Sequence, residues 1–353
     1  MDGSRGDTAL RIGIIAPPWV AVPPPVYGGT ELVINELALG LVAAGHQVEL
    51  FASGDSTCAV PRKWLFPRAL GTPADPGLEF AHVQRAYEVL GAVDLVHDHT
   101  LTGPRWAGMW RPELPVVTTN HGPFTAEMRV HFGSISERVA IIAISHAQRR
   151  DAPEIPAAAV IHHGIDVAAF PVGRGDGGYV LFLGRMSPDK GVHRAIAVAR
   201  AAGKRLLIAA KMWEPAESRY FVEQVEPLLG DDSVYIGAVG GQRKLDLLAG
   251  AEALVNPIRW PEPFGLVMIE ALACGTPVLA FAEGAAPEIV EHGRTGFLCV
   301  DEADMAARLG DVGSLDRAVC RASVTERFSV QRYIDDHLAL YRRVLGHQPR
   351  LVT

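Results

Sequence analysis

The sequence predicts an α/β protein with two Rossmann-like domains facing each other across a cleft. Three observations support this fold class. The chain has 353 residues, which is more than one hydrophobic core usually holds. Short apolar strands alternate with helical patterns, and a glycine-dense segment at 173–178 interrupts the series once. Apolar residues make up 48% and charged residues 21% of the chain, a balance typical of folded globular proteins.

The first half of the chain contains five predicted strands. The run Leu10–Ala16 is followed by a loop rich in proline and glycine. Apolar residues then recur at helical spacing from Thr30 to Ala44, with Thr30 a suitable N-cap. Further strands are expected at 47–52, 94–97, 116–119 and 141–144. We assign residues 1–172 to an N-terminal domain.

The second half repeats this pattern with six predicted strands, at 179–184, 205–210, 233–237, 253–257, 277–280 and 296–300. Gly173, Gly175 and Gly178 satisfy the spacing G-x-G-x-x-G of dinucleotide-binding loops. That motif requires a strand before the glycines, whereas here the strand follows them, so a linker is favoured. We assign residues 173–328 to a C-terminal domain and about 329–345 to a last helix.

Charge and cysteine content argue against several classes of protein. The chain has 33 basic and 40 acidic residues and neither half is basic, so we expect no nucleic-acid partner. The four cysteines lack metal-site spacing and suit a reduced, cytoplasmic protein. We expect no secretory signal in residues 1–10 and no transmembrane segment. Segment 62–68 mixes cations and aromatic residues and could contact a membrane weakly, although a solvated loop is favoured.

Two carboxylates eight residues apart form the most informative motif. Leu266–Ala273 predicts a buried helix that contains Glu270, and Glu262 precedes this helix between two prolines. A buried carboxylate needs a hydrogen-bonding partner or a ligand, and free N–H groups at a helix start bind polar ligand oxygens. The two residues could therefore contact two parts of one ligand. A helix cap and an internal salt bridge explain the same segment equally well.

Two glycine-containing loops suit phosphate binding. Gly184–Gly191 follows the first strand of the second domain and contains Arg185 and Lys190, one of only five lysines. Gly28 and Gly29 precede the first helix, where a phosphate can approach the backbone closely. For each loop, an ordinary solvent-facing connection or turn is an equally good interpretation.

Histidines are concentrated in the first half, with nine of thirteen before residue 172. His121 follows a predicted strand and should face the cleft, although an isolated histidine at such a position is more often structural. The groups His97/His99 and His162/His163 lack a third ligand at a defined spacing, which disfavours metal binding. The chain also has no Asp-x-Asp pair, the usual carboxylate cradle for a metal–nucleotide complex.

Taken together, these segments resemble the retaining nucleotide-sugar glycosyltransferases of the GT-B fold, glycosyltransferase family 4. The most specific match is the E-x7-E motif from Glu262 to Glu270, together with the residues that follow it. Gly184–Gly191 matches the family loop G-R-x-x-x-x-K-G. The resemblance extends along nearly the whole chain, which favours the functional interpretation of each motif over the structural one.

The resemblance implies roles for the groups around the phosphates. Arg185 and Lys190 would neutralise the donor diphosphate in place of a metal ion, so no metal and no other cofactor are expected. Gly28 and Gly29 correspond to the family's glycine pair at the donor. His121 corresponds to the histidine near the donor sugar and the acceptor.

The resemblance also implies how the rest of the donor is held. Glu262, with the backbone of Phe264, Gly265 and Leu266, would bind the hydroxyls of the donor sugar. Glu270 would bind the ribose hydroxyls. The last helix would cross back onto the N-terminal domain, as it does in the family.

One segment departs from the family pattern. Where many members have a glycine-rich turn after the second strand of the second domain, this chain has Ala-Ala-Lys-Met-Trp-Glu-Pro at 209–215. Lys211 adds a cation at the nucleotide or sits on the rim of the site, and the sequence favours neither.

The predicted activity is transfer of a sugar from a nucleoside diphosphate sugar, with UDP favoured, to an unidentified acceptor hydroxyl with retention of configuration. Two alternatives remain open from the sequence: a GT-B nucleotide-sugar epimerase, which consumes no acceptor, and a non-catalytic nucleotide-sugar binding module.

Overall fold

The computed structural model describes residues 8–26, 28–71 and 75–346. The expectation that residues 1–10 contain no secretory signal falls mostly outside these ranges. The N-terminal sheet consists of β1 (Arg11–Ile15), β2 (Gln47–Phe51), β3 (Arg62–Lys63), β4 (Leu95–Asp98), β5 (Val116–Asn120), β6 (Ala140–Ala143) and β7 (Ala157–Val160). The C-terminal sheet consists of β8 (Val180–Arg185), β9 (Leu206–Lys211), β10 (Ser233–Gly237), β11 (Leu254–Asn256), β12 (Val278–Phe281) and β13 (Gly296–Cys299).

The two sheets share one topology. Their strand orders are β3-β2-β1-β4-β5-β6-β7 and β10-β9-β8-β11-β12-β13, and every pairing of named strands is parallel. This is the doubly wound order of nucleotide-binding α/β domains, so the predicted fold class is confirmed.

All six strands expected in the second half are present. The prediction of five strands in the first half was wrong, because it missed β3 and β7. The first has two residues, and three of the four residues of the second are alanine, which has low β-propensity.

Helices cover both sheets. In the N-terminal half they are α1 (Gly29–Ala43), α2 (Pro76–Val89), α3 (Gly103–Trp110), α4 (Ala126–Ile135) and α5 (His146–Asp151). The later helices are α6 (Val192–Ala201), α7 (Pro215–Tyr220), α8 (Gly241–Gly250), α9 (Leu266–Ala273), α10 (Ala286–Ile289), α11 (Glu302–Arg308), α12 (Arg317–Arg327) and α13 (Val330–Gly346). Contrary to expectation, Thr30 is not the N-cap of α1: Gly28 is the cap, and Thr30 lies in the first turn.

The last helix, α13, packs on α1 of the N-terminal domain. A Cβ placed on Gly40 of α1 would lie 2.5 Å from the side chain of Ile334, so the two helices approach closely at this glycine. Tyr333 and Tyr341 of α13 are buried in the core that contains β1 and β2. The chain therefore returns to its first domain at its end. No helix within the described ranges is long and apolar enough to cross a membrane.

Candidate active site

A cavity of about 640 Å³ lies between the two domains. This volume is within the range of about 300–1,000 Å³ typical of small-molecule sites. The residues that the sequence indicated and that line the cavity are Gly28, Gly29, His121, Arg185, Lys190, Glu262, Phe264, Gly265, Leu266 and Glu270. The structure thus brings together all the sequence-predicted site residues except Lys211.

The start of α1 brings the N-terminal domain close to the C-terminal one. A Cβ on Gly29 would lie 3.1 Å from the side chain of Leu266, at the start of α9. A Cβ on Gly28 would lie 2.8 Å from Pro24 and 2.7 Å from the carboxylate of Glu31. Among the described residues no side chain caps α1 at Gly28, so the amides of Gly29 and Thr30 are available to an anion, whereas the amide of Glu31 donates to its own carboxylate. Larger residues than glycine would therefore obstruct this helix end.

A largely buried ion pair in the cavity joins two predicted site residues. The ammonium of Lys190 lies 2.6 Å from Glu262 Oε2, and the two side chains are only 11% and 17% exposed. Lys190 also lies 5.6 Å from the centre of the Trp260 ring. Arg185, at the end of β8, pairs with Asp189 at 3.0 Å. A cation and a carboxylate are therefore held side by side at the centre of the site.

Glu270 has the partner that its buried position required. The ammonium of Lys244, on α8, donates to Glu270 Oε1 at 2.7 Å, and both residues line the cavity. Sequence reasoning missed Lys244, although it is one of only five lysines in the chain. The helix that carries Glu270 begins after Gly265, whose φ of 100° is in the left-handed region that favours glycine.

Lys211 lies outside the cavity. It is buried at the end of β9, and its ammonium lies 3.4 Å from Glu217 Oε1 and 4.8 Å from the centre of the Trp213 ring. Glu217 also accepts hydrogen bonds from the backbone of Trp213 and Glu214. A role for Lys211 at the donor stays a prediction.

His121 is held by a second histidine. His99 follows β4, His121 follows the neighbouring β5, and His99 Nδ1 lies 2.9 Å from His121 Nε2. Burial, together with the nearby His337, lowers the pKa of His121 to about 3. The imidazole of His121 is therefore neutral at neutral pH. The sequence placed both histidines at carboxyl ends of strands, but not next to each other.

A cluster at the domain junction contains His146, His162 and Glu288, whose ligand atoms lie within 4.8 Å of one another. The carboxylate of Glu288, on α10, accepts hydrogen bonds from His162 Nε2 at 2.7 Å and from the backbone N–H groups of His146 and Ala147. Burial raises the pKa of Glu288, but these bonds outweigh it and the pKa lies below its ordinary value of 4.5. Glu288 thus binds the first two amides of α5, whose N-cap is Ser145, and joins the two domains.

The cavity combines cations, carboxylates and free amides at helix starts, contributed by two Rossmann-like domains. Such a site can hold a diphosphate by its charge and a sugar by its hydroxyls. The fold and the site define a glycosyltransferase of the GT-B class.

Similarity to known proteins then shows the family. A family model described as "Glycosyltransferase Family 4" matches residues 27–169, and one described as "Glycosyl transferases group 1" matches residues 169–312. The chain belongs to glycosyltransferase family 4.

Relatives are similar over almost their whole length. The phosphatidyl-myo-inositol mannosyltransferase of Mycolicibacterium smegmatis is 30% identical over 370 residues, covering 92% of this chain and 90% of that protein. The D-inositol 3-phosphate glycosyltransferase of Mycobacterium leprae is 28% identical, covering 90% of this chain and 89% of that protein. A solved structure of AviGT4, a glycosyltransferase involved in avilamycin A biosynthesis, is 28% identical with a TM-score of 0.71 and covers 96% of this chain and 99% of its own.

Proposed function

We propose that this glycosyltransferase moves a sugar from a UDP-sugar to an acceptor hydroxyl and retains the anomeric configuration. The observation that carries the proposal is the convergence of Arg185, Lys190 and Glu262 with the start of α1 on one interdomain cavity. As the bond from the sugar C1 to the diphosphate breaks, negative charge grows on the diphosphate. Preorganised cations and amides lower the barrier to that step.

Arg185 and Lys190 contact the diphosphate, and the free amides at the start of α1 supply further hydrogen bonds to its oxygens. With two protein cations at the leaving group, the reaction requires neither a metal ion nor another cofactor. Glu262 and the backbone amides at the start of α9 hold the hydroxyls of the donor sugar. His121, which lines the cavity from the N-terminal domain, contacts the sugar or the acceptor.

Glu270 accepts hydrogen bonds from the ribose hydroxyls. Lys244, which pairs with Glu270, offers N–H donors at the nucleoside end of the cavity. Uracil and guanine present a carbonyl oxygen to such a donor, whereas adenine presents an amino group at the corresponding edge. This supports UDP or GDP over ADP, and we propose UDP.

The four cysteines are buried and unpaired, which is consistent with a reducing, cytoplasmic compartment.

Inositol-based compounds are the first acceptors to test, because two relatives are named for transfer to phosphatidyl-myo-inositol and to D-inositol 3-phosphate. Exposed Trp64 and Leu65, in the segment 62–68, supply an apolar surface for the weak membrane contact expected from the sequence. A lipid-linked acceptor would make use of that contact.

Two experiments test the proposal. Calorimetry with UDP, GDP and ADP identifies the nucleotide, and the UDP-sugars are then incubated with the inositol acceptors while free UDP is measured. Release of UDP only with acceptor, and a product with the anomeric configuration of the donor by NMR, is the expected result. Sugar conversion without acceptor would indicate an epimerase, and binding without turnover a binding module. Loss of activity in EDTA, restored only by Mg²⁺ or Mn²⁺, would contradict the role given to Arg185 and Lys190.

A further inference from the structure

Two histidines in contact, the buried His99 and the half-buried His121 that lines the cavity, constrain where their hydrogens lie. A neutral imidazole carries one N–H, and the contact between His99 Nδ1 and His121 Nε2 at 2.9 Å allows two arrangements. In the first, His99 donates, and the hydrogen of His121 lies on its Nδ1. In the second, His121 donates, and the hydrogen of His99 lies on its Nε2. Within the described residues, neither His121 Nδ1 nor His99 Nε2 has a hydrogen-bond partner.

The two arrangements differ in where they leave an N–H without a partner. In the second arrangement it would belong to His99, which is 6% exposed and whose ring stacks against His97 at 4.0 Å between centroids. No ligand in the cavity reaches that atom, and a buried unpaired donor is costly. In the first arrangement it belongs to His121. Nδ1 of this ring is also buried, but the residue is only half-buried and lines the cavity, whereas His99 does not, so of the two N–H groups this is the one nearer to an oxygen of a bound substrate.

We infer that His99 is a positioning residue that donates to His121 Nε2 and thereby makes His121 Nδ1 a hydrogen-bond donor toward the substrate. His121 then contributes an N–H to an oxygen of the donor sugar or the acceptor, and does not remove a proton at Nδ1. This inference rests on the proposed function for its catalytic consequence. The arrangement of hydrogens itself does not depend on which sugar is transferred.

The surrounding side chains hold His99 in place. Under His99, the ring of His97 is fixed at both nitrogens, since Nδ1 lies 2.7 Å from Tyr341 Oη and Nε2 lies 2.8 Å from Thr119 Oγ1. Tyr341 belongs to α13, so the last helix supports the site through His97 and His99. This chain of contacts gives the returning helix a part in orienting His121.

Side-chain NMR of histidine tests the arrangement directly. In protein labelled with ¹⁵N-histidine, long-range ¹H–¹⁵N spectra distinguish the two neutral forms of each ring, and His121 is assigned by its loss in His121→Ala. We expect His121 with its hydrogen on Nδ1. A hydrogen on Nε2 would overturn the inference whatever the activity of the enzyme. Failure of the proposed function would instead appear as wild-type protein that transfers no sugar while this spectrum is as expected.

Two substitutions of His99 test the consequence with UDP-glucose as the first donor probe. His99→Phe keeps a ring of similar size but removes both nitrogens, whereas His99→Asn keeps an amide N–H near the position of Nδ1. We expect kcat to fall about tenfold in His99→Phe, equivalent to about 1.4 kcal/mol, with KM for the donor within about twofold. His99→Asn should remain within about threefold of wild type.

A matched control separates positioning from general damage. His82 is also fully buried in the N-terminal domain and contacts the carbonyl of Ala16, away from the cavity. His82→Phe should leave kcat unchanged below its melting temperature. Equal losses of kcat in His82→Phe and His99→Phe, equal losses in both His99 variants, or wild-type kcat in His99→Phe would overturn the inference. If His99→Phe does not fold, the Asn variant and the NMR spectrum still decide it.

Discussion

Replacing Glu262 with glutamine separates catalysis from nucleotide binding. The carboxylate of Glu262 lies 2.6 Å from the ammonium of Lys190, and both side chains are largely buried. Glutamine keeps the size and the hydrogen-bonding capacity of the side chain but removes its charge. The substitution is therefore expected to leave the donor sugar in place, to remove a negative charge beside it, and to remove the counter-charge of Lys190.

Glu262→Gln is expected to lower kcat without weakening the binding of UDP. The sugar gains positive character as the bond to the diphosphate breaks, so a neighbouring carboxylate stabilises the transition state more than the ground state. Removal of one such electrostatic group lowers kcat by about 10²–10³-fold, or about 2.7–4 kcal/mol. The freed Lys190 interacts more strongly with the diphosphate, so UDP should bind as well as before or up to about fivefold more tightly, a gain of about 1 kcal/mol.

Two measurements on the same preparations are needed: the steady-state rate at saturating donor, and calorimetric titration with UDP alone. Glu252→Gln is the matched control. Glu252 also pairs with a lysine, Lys204, at 2.5 Å, but neither residue lines the cavity. This control should change neither kcat nor the affinity for UDP. Any effect shared by both variants reflects loss of an ion pair in general.

Either of two results would refute the reasoning. A Glu262→Gln enzyme whose kcat stays within about twofold of wild type would make Glu262 a helix cap without an electrostatic role. A loss of UDP affinity in proportion to the loss of rate would make it a ligand of the nucleotide.

Four further changes have definite expected outcomes. Glu270→Ala should weaken calorimetric UDP binding by about 1.5–3 kcal/mol, the range for hydrogen bonds to a charged group, and an unchanged dissociation constant would leave Glu270 a structural role. Asp189→Asn keeps an acceptor for Arg185 but removes its counter-charge, so UDP affinity should rise about two- to fivefold, and weaker binding would contradict this. Gly40→Leu should lower the free energy of unfolding in urea by about 1–3 kcal/mol, because α13 leaves no room, and wild-type stability would be inconsistent with that contact. Glu288→Gln should cost about 1 kcal/mol at pH 7. Since folding lowers the pKa of Glu288 below its ordinary value of 4.5, this difference should begin to shrink as the pH falls past about 4.5 and should vanish only below the lowered pKa of the folded state. A difference that stayed constant down to the acid limit of the melts would exclude the carboxylate as its source.

The sequence predicted the parallel strands well because each is a short apolar run that ends in a loop with glycine or a polar residue. It missed β7, Ala157–Val160, because its pairing with β6 depends on tertiary contacts and not on its own composition. It also placed Thr30 at the N-cap of α1 by residue type, whereas the backbone allows Gly28 to take that position. Residue types therefore predicted whether a segment is a helix or a strand better than they predicted the residues at which it begins and ends.

The sequence predicted the motifs that form the site, but it did not predict which side chains contact one another. The sequence indicated Glu270 as a buried carboxylate in need of a partner, but that partner, Lys244, is 26 residues away on another helix. The contact between His99 and His121 likewise depends on β4 and β5 being neighbours in the sheet. Motif spacing along the chain contains no such information, because the crossover between two parallel strands can have many lengths.

The pairing of charges in the cavity gives a physical reason why Glu262 should affect the rate more than the binding of UDP. Among the described residues, the arginine and lysines that line the cavity are each paired with a carboxylate: Arg185 with Asp189, Lys190 with Glu262, and Lys244 with Glu270. These six groups sum to no net charge, so the attraction of the diphosphate depends on direct contacts with the cations and not on a net positive charge of the site. As the reaction proceeds, however, the sugar becomes positive and the diphosphate more negative. In the proposed mechanism Glu262 faces the sugar and Lys190 faces the diphosphate, so each of the two developing charges lies beside a charge of opposite sign. Because the two side chains are already in position, their interactions with the sugar and the diphosphate become stronger as the bond breaks. No reorganisation of the site is needed at that moment.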